Sequence, residues 1–91
     1  MLKYLKIMTK SHRIMLKTIF AQPISGNIKW RDVESMLKAL GAVISERAGS
    51  RLAVQLGERI AIFHRPHPSP DMDKGAVRDL RRFLENAGIR P

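Results

Sequence analysis

The sequence predicts an α+β domain in which helices cover one face of a small three-stranded antiparallel sheet. Residues 42–64 contain three short runs rich in Val, Ile, Leu and Phe, separated by glycine-containing turns, which is typical of consecutive strands. Segments with apolar residues at helical spacing precede and follow these runs, so the predicted order is α-α-β-β-β-α. A chain of 91 residues is long enough for one small core.

The first predicted helix starts the domain, which we expect to occupy residues 11–91 after an N-terminal extension over residues 1–10. Ser11 is the predicted N-cap, because serine is a favoured capping residue and an apolar stripe follows it. The helix should end before Pro23. Its stripe consists of Met15, Leu16, Ile19 and Phe20.

The second predicted helix runs from about Trp30 to Leu40 and ends at Gly41, which occupies the position where a left-handed glycine commonly terminates a helix. An indole ring can stack on a nucleic-acid base, but Trp30 belongs to the apolar stripe of this helix. We therefore predict that it lies in the core. The stripe consists of Trp30, Val33, Leu37 and Leu40.

The three strands are predicted at residues 42–47, 51–56 and 59–64. A two-residue turn with Gly57 first would place Arg51 opposite His64 and Leu52 opposite Phe63. The bulky apolar set should then face the helices, and the other face should be open to solvent. Ile60 and Ile62 fall on that open face, where they indicate either a partner interface or a longer turn.

The last helix is predicted from about Lys74 to Ala87, with Asp71 or Asp73 as its N-cap. Gly88 and Ile89 follow it in the pattern of a Schellman ending. Before this helix, the segment "FHRPHPSP" contains three prolines, which cannot donate to a strand ladder, so we expect a stiff loop.

The composition indicates a polyanionic partner. Seventeen Lys and Arg residues against eight Asp and Glu give a formal net charge of +9, which favours RNA or DNA. The chain has no cysteine, which excludes disulfides and thiolate chemistry. No apolar run approaches the roughly 20 residues of a membrane span. We expect a cytoplasmic protein that has no contact with a membrane.

His64 and His67 allow three kinds of chemistry. A metal site is disfavoured because no third ligand is evident, and we predict neither a metal nor another cofactor. Histidine titrates near neutrality, so the pair could supply the base and the acid of RNA cleavage, with Arg51 or Arg65 stabilising the charged phosphorane. The same residues also suit passive phosphate binding.

Further basic residues extend this candidate site. The last helix carries cations off its apolar stripe, and these either contact RNA phosphates or form a solvated helix face that Asp79 and Glu85 partly balance. The candidate RNA-binding residues are Ser50, Arg51, Arg65, Lys74, Arg78, Arg81 and Arg82.

From about His12 to Ile89 the chain resembles the HicA toxins, small RNA-cleaving proteins of bacterial toxin–antitoxin pairs. The matching stretches are "WRDVESMLKALGA", "GSR", "FHRPHP" and "KGAVRDLRRFLENAGI". The resemblance implies a fold similar to a double-stranded-RNA-binding domain and a metal-independent endoribonuclease that acts on mRNA. It also implies a HicB-type antitoxin that binds the toxin in a hetero-oligomer and masks its active site.

One residue departs from this family pattern. HicA toxins typically carry the catalytic histidine directly after Gly-Ser, and this chain has Arg51 there. Arginine stays protonated and cannot act as a general base, so His64, with His67 behind it, is the candidate for proton transfer. Three hypotheses follow: a ribonuclease toxin, an RNA-binding module without hydrolytic activity, and a basic domain that binds an acidic protein.

Overall fold

The computed structural model describes residues 8–91, which form an α+β domain with the predicted order of elements. A 3₁₀ turn at Ala48–Ser50 connects the first two strands. The sheet is antiparallel with the order β1-β2-β3, which confirms the predicted fold class. The elements are α1 (Lys10–Phe20), α2 (Trp30–Ala39), β1 (Val43–Arg47), β2 (Arg51–Leu56), β3 (Arg59–His64) and α3 (Lys74–Asn86).

Helix α1 is capped by Thr9, so the prediction of Ser11 as the N-cap was wrong. The Thr9 hydroxyl accepts a hydrogen bond from the His12 backbone N–H at 3.2 Å, and the Thr9 N–H donates to His12 Nδ1 at 3.3 Å. Histidine thus takes the place that Glu or Gln usually has in a capping box. Most of the predicted extension lies outside the described residues, but Met8 is buried in the core and Lys10 begins α1.

The apolar stripe of α2 is buried as predicted, and Trp30 lies in the core. Its ring centroid is 6.0 Å from that of Phe63, which in turn is 6.4 Å from Phe83 in an edge-on arrangement. These three rings join α2, β3 and α3. Gly41 has a φ of +94° and follows the Leu40 C-cap, so α2 ends in the predicted left-handed turn.

Helix α3 has the predicted ends. Asp73 caps it by accepting a hydrogen bond from the Ala76 N–H at 2.7 Å. After the Ala87 C-cap, the Ile89 N–H donates to the Leu84 carbonyl at 2.8 Å, and Gly88 has a φ of +79°. This is the predicted Schellman ending, and it buries the Ile89 side chain.

The β2–β3 hairpin has the predicted register, with Arg51 opposite His64 and Leu52 opposite Phe63. A positive φ of 64° at Gly57, without one at Glu58, fits the predicted two-residue turn. One face of the sheet packs under the helices, and Leu52, Val54, Leu56 and Phe63 are buried there.

The opposite face of the sheet is not covered by the helices. Val43, Ile60 and Ile62 lie on it and are 65%, 60% and 53% exposed. The predicted position of the two isoleucines on the open face is therefore confirmed. Among the described helices, none is long and apolar enough to cross a membrane.

Candidate functional site

The turn between β1 and β2 places Arg51 at the end of the sheet. Gly49 and Ser50 both adopt left-handed backbone conformations, with φ values of 73° and 61°. Glycine reaches this region without strain, whereas serine does so at a cost. Arg51 then donates from Nε to the Ala48 carbonyl at 2.9 Å, which ties the guanidinium to the turn. The turn therefore fixes where this cation lies.

Arg51 and His64 are direct cross-strand neighbours on the open face. The Arg65 N–H donates to the Ser50 carbonyl at 2.9 Å, one residue beyond the pair on each strand. This pattern makes Arg51 and His64 a non-hydrogen-bonded pair, the type whose Cα atoms lie only about 4.5 Å apart and whose side chains are closest. Arg51 and His64 therefore occupy adjacent positions at the ends of their strands.

Arg47 continues this arrangement onto the third strand. It pairs with Arg51, so Arg47, Arg51 and His64 form one exposed row across the sheet, which we call the basic row. Like charges directly opposite each other destabilise a sheet, and a bound anion would offset that repulsion. The basic composition of the strands makes Arg47 one of the arginines that favour a phosphate groove, but the sequence does not place it beside Arg51. The register between β1 and β2 does so.

The proline-rich loop forms a cavity beside the basic row. His64, Arg65 and His67 line it, together with Ser69 and the start of α3, around a volume of about 290 Å³. His64 therefore borders both the basic row and the cavity. The structure brings together the two histidines and one of the predicted arginines, and it places Ser50 and Arg51 on the adjoining strand end.

The two carboxylates near this cavity already have partners. The Asp71 carboxylate accepts a hydrogen bond from Lys29 Nζ at 3.1 Å and forms an ion pair with it, and Asp73 caps α3. Glu46 is 3.4 Å from Arg65 Nη2 in an exposed pair, a type of contact that contributes little to stability. Among residues 8–91, no three His, Asp or Glu side chains are grouped so that they could hold a metal ion.

The predicted basic residues of α3 separate into two groups. Lys74, Arg78 and Arg82 are exposed, and Lys74 directly follows the Asp73 cap that lines the cavity. Arg81 is half-buried and donates to the Ile19 carbonyl from Nε at 3.1 Å and from Nη2 at 2.9 Å. Its guanidinium thus joins α3 to the end of α1, a contact across 62 residues that the sequence pattern did not indicate.

The family model described as HicA toxin of bacterial toxin–antitoxin matches residues 30–89, about two thirds of the chain. The chain belongs to the HicA toxin family. The matched residues include the basic row, the cavity and the exposed cations of α3, so the candidate site lies wholly within the HicA domain. Helix α1 precedes the match. Searches of curated proteins and of solved structures found no match.

Proposed function

We propose that this HicA family member is the toxin of a toxin–antitoxin pair, and that it binds mRNA in the cytoplasm and cleaves it without a metal ion. The observation that carries the proposal is the direct pairing of Arg51 with His64 at the edge of the cavity that His67 also lines. The pair supplies a fixed positive charge and a group able to transfer protons within reach of one phosphodiester.

The electrostatics of the site support an RNA ligand. Arg47, Arg51 and His64 form a row without a carboxylate, and the terminal N–H groups of Arg51 bond to no residue in the described part of the chain. A phosphodiester is an anion that such donors bind through charge-assisted hydrogen bonds. The exposed cations of α3, Lys74, Arg78 and Arg82, extend the positive surface and would contact phosphates farther along the strand.

The proposed reaction uses the ribose 2′-OH as the nucleophile. His64 accepts the 2′-OH proton as the 2′ oxygen bonds to phosphorus, and His67 donates a proton to the 5′ oxygen as its bond to phosphorus breaks. The products are a 2′,3′-cyclic phosphate and a 5′-hydroxyl end. Arg51 stabilises the negative charge of the phosphorane, a role for which a permanently charged guanidinium is suited.

A second candidate is RNA binding without cleavage. Catalytic histidines are commonly oriented by a hydrogen-bond partner, and neither the His64 nor the His67 imidazole has a hydrogen bond to a residue within 8–91. In addition, Arg51 occupies the position where the family resemblance places the catalytic histidine. In this case the domain would hold RNA, or its antitoxin, through the same basic row.

RNA degradation by the purified protein in EDTA distinguishes the two candidates. The wild type should yield 2′,3′-cyclic phosphate ends, and both His64→Ala and His67→Ala should lower the cleavage rate by about 100-fold or more while RNA is still bound. His12→Gln is the matched control, because it also removes an imidazole but at a position on α1 and not in the candidate site. Glutamine is favoured at this position of a capping box, so the helix should remain capped. A wild type that binds RNA but leaves it intact would establish the second candidate.

A HicB-type antitoxin is the proposed protein partner, and the open face of the sheet is its proposed contact surface. Val43, Ile60 and Ile62 are exposed there next to the basic row, so a partner covering both would combine apolar and acidic groups. Ile60→Thr/Ile62→Thr should abolish co-purification with the antitoxin and leave the fold intact. Unchanged co-purification would exclude this face as the interface.

A further inference from the structure

Most of the net positive charge of the chain lies outside the family match. Residues 30–89 contain ten Lys and Arg but all eight Asp and Glu, so they are only weakly basic. Residues 1–29 contain no acidic residue at all. Most of the net charge of +9 therefore lies before the HicA domain. The cations of this N-terminal part are Lys3, Lys6, Lys10, Arg13, Lys17 and Lys29.

Within this basic segment, helix α1 packs against the rest of the domain. Leu16 and Ile19 are buried in the core at 1% and 0% exposure. His12 Nε2 and the Ser35 hydroxyl lie 2.9 Å apart, which ties the start of α1 to α2. Arg81 binds the Ile19 carbonyl at its other end. Both ends are thus fixed, and the helix holds its outer face in a constant orientation.

That outer face carries a row of cations, which we call the α1 row. Lys10, Arg13 and Lys17 are exposed and are spaced by three and four residues, so they lie on one side of the helix. At 1.5 Å per residue the row is about 10 Å long. Residues 10–20 contain no Asp or Glu. The α1 row is therefore a compact positive surface on a rigid support.

We infer that the α1 row is a second RNA-binding surface, which contacts phosphates flanking the segment held at the basic row. This inference rests on the proposed function, since it assigns a further contact to the same ligand. It would supply affinity without base specificity, because contacts to phosphates carry no sequence information. The α1 row would thus add to the positive surface that the basic row and the exposed cations of α3 offer to RNA.

Other ligands fit the α1 row less well. A protein interface requires an apolar or aromatic centre. On α1, Ile14 is the single large apolar side chain that is exposed, so the helix lacks such a centre. An amphipathic helix that lies in a membrane surface inserts its apolar face, whereas Leu16 and Ile19 of α1 are buried against the domain. The open sheet face, with Ile60 and Ile62, is the surface of this molecule better suited to a protein.

The test compares two triple variants that remove the same charge. Lys10→Gln/Arg13→Gln/Lys17→Gln neutralises the α1 row, and the matched control neutralises three exposed cations that each lie beside a carboxylate. Glutamine is a good helix former, so the helices should persist, and circular dichroism checks this. The control substitutions are Arg31→Gln, Lys38→Gln and Arg90→Gln.

The measurement is the affinity for single-stranded RNA with 2′-O-methyl riboses, which cannot be cleaved, between 50 and 200 mM salt. The α1-row variant should lose three phosphate contacts, and the magnitude of the slope of log binding constant against log salt concentration should therefore fall by about 2. Between 50 and 200 mM salt, the affinity of the wild type should then decrease about 20-fold more than the affinity of the variant. The control should keep a slope close to that of the wild type. Lys10→Arg/Lys17→Arg should bind like the wild type.

Equal slopes for the two triple variants would overturn the inference, because net charge alone would then explain the binding. The inference would also be overturned if the α1-row variant binds RNA normally but no longer binds vesicles containing phosphatidylglycerol. That result would assign the row to a membrane surface. If Arg51→Gln weakens RNA binding and the α1-row variant does not, the proposed function stands and this inference fails. A wild type that binds no RNA at 50 mM salt would refute both.

Discussion

Arg81 and Arg82 are adjacent on α3, and replacing each by methionine should affect a different property of the protein: stability for Arg81 and RNA affinity for Arg82. Arg81 donates three hydrogen bonds to the Ile19 and Ala21 carbonyls, and its guanidinium lies 5.9 Å from the Phe20 ring centroid. Arg82 is exposed and makes no such contact. We therefore expect Arg81→Met to lower stability, and Arg82→Met to leave stability unchanged and weaken RNA binding.

The expected loss for Arg81→Met follows from these contacts. Hydrogen bonds from a charged donor contribute about 1.5–3 kcal/mol, and a cation near a helix C-terminus adds about 0.3–1 kcal/mol. Methionine keeps some of the packing of the arginine stem, which offsets part of the loss. A net destabilisation of about 2 kcal/mol corresponds to a fall in Tm of about 8–16 °C for a domain of this size.

Urea denaturation followed by circular dichroism measures the free energy of unfolding of both variants. Arg82→Met should lie within about 0.5 kcal/mol of the wild type, as exposed substitutions usually do. RNA binding is then compared at a temperature where both variants are folded. The structural role of Arg81 is refuted if its variant is as stable as the Arg82 variant, or if the two lose equal affinity for RNA at unchanged stability.

Two further predictions concern backbone positions. Thr9→Ala removes the N-cap and should destabilise the protein by about 1 kcal/mol in urea denaturation. Ser11→Ala, inside the first turn, should change stability by less than about 0.5 kcal/mol. A larger loss of stability for Ser11→Ala than for Thr9→Ala would identify Ser11 as the cap. Ser50→Gly should raise the free energy of unfolding by about 0.5–1 kcal/mol, because glycine adopts the positive φ of 61° without strain. If the Ser50 hydroxyl contacts RNA, affinity should fall in this more stable variant, and unchanged affinity would remove Ser50 from the site.

Much of the fold was predictable because local signals agreed with one another. The sequence predicts the bounds of β2 and β3 to the residue, since Gly57 fixes the turn and the apolar pattern fixes which side of each strand is buried. Gly41 and Gly88 marked two helix ends for a similar reason, because their left-handed conformation belongs to a specific hydrogen-bonded ending. The register then placed Arg51 beside His64 without any tertiary information.

The remaining features depend on tertiary contacts or on unusual local chemistry. The cap at Thr9 relies on a histidine where glutamate or glutamine is expected, so the sequence favoured Ser11 instead. Arg81 has the same sequence context as its exposed neighbours, and only the position of α1 gives it carbonyl partners. The cavity that joins His64 to His67 likewise depends on how the proline-rich loop packs against the start of α3.

The central claim is that Arg51 and His64 bind the same phosphate, and a double-mutant cycle tests it most directly. Affinity for 2′-O-methyl RNA is measured at pH 6 for Arg51→Gln, His64→Gln and the double variant. Two side chains that share one anion should show a coupling energy of about 1 kcal/mol or more, whereas the control pair Arg51→Gln and Arg82→Gln should be additive to within about 0.5 kcal/mol. Additive effects of Arg51→Gln and His64→Gln would contradict the account.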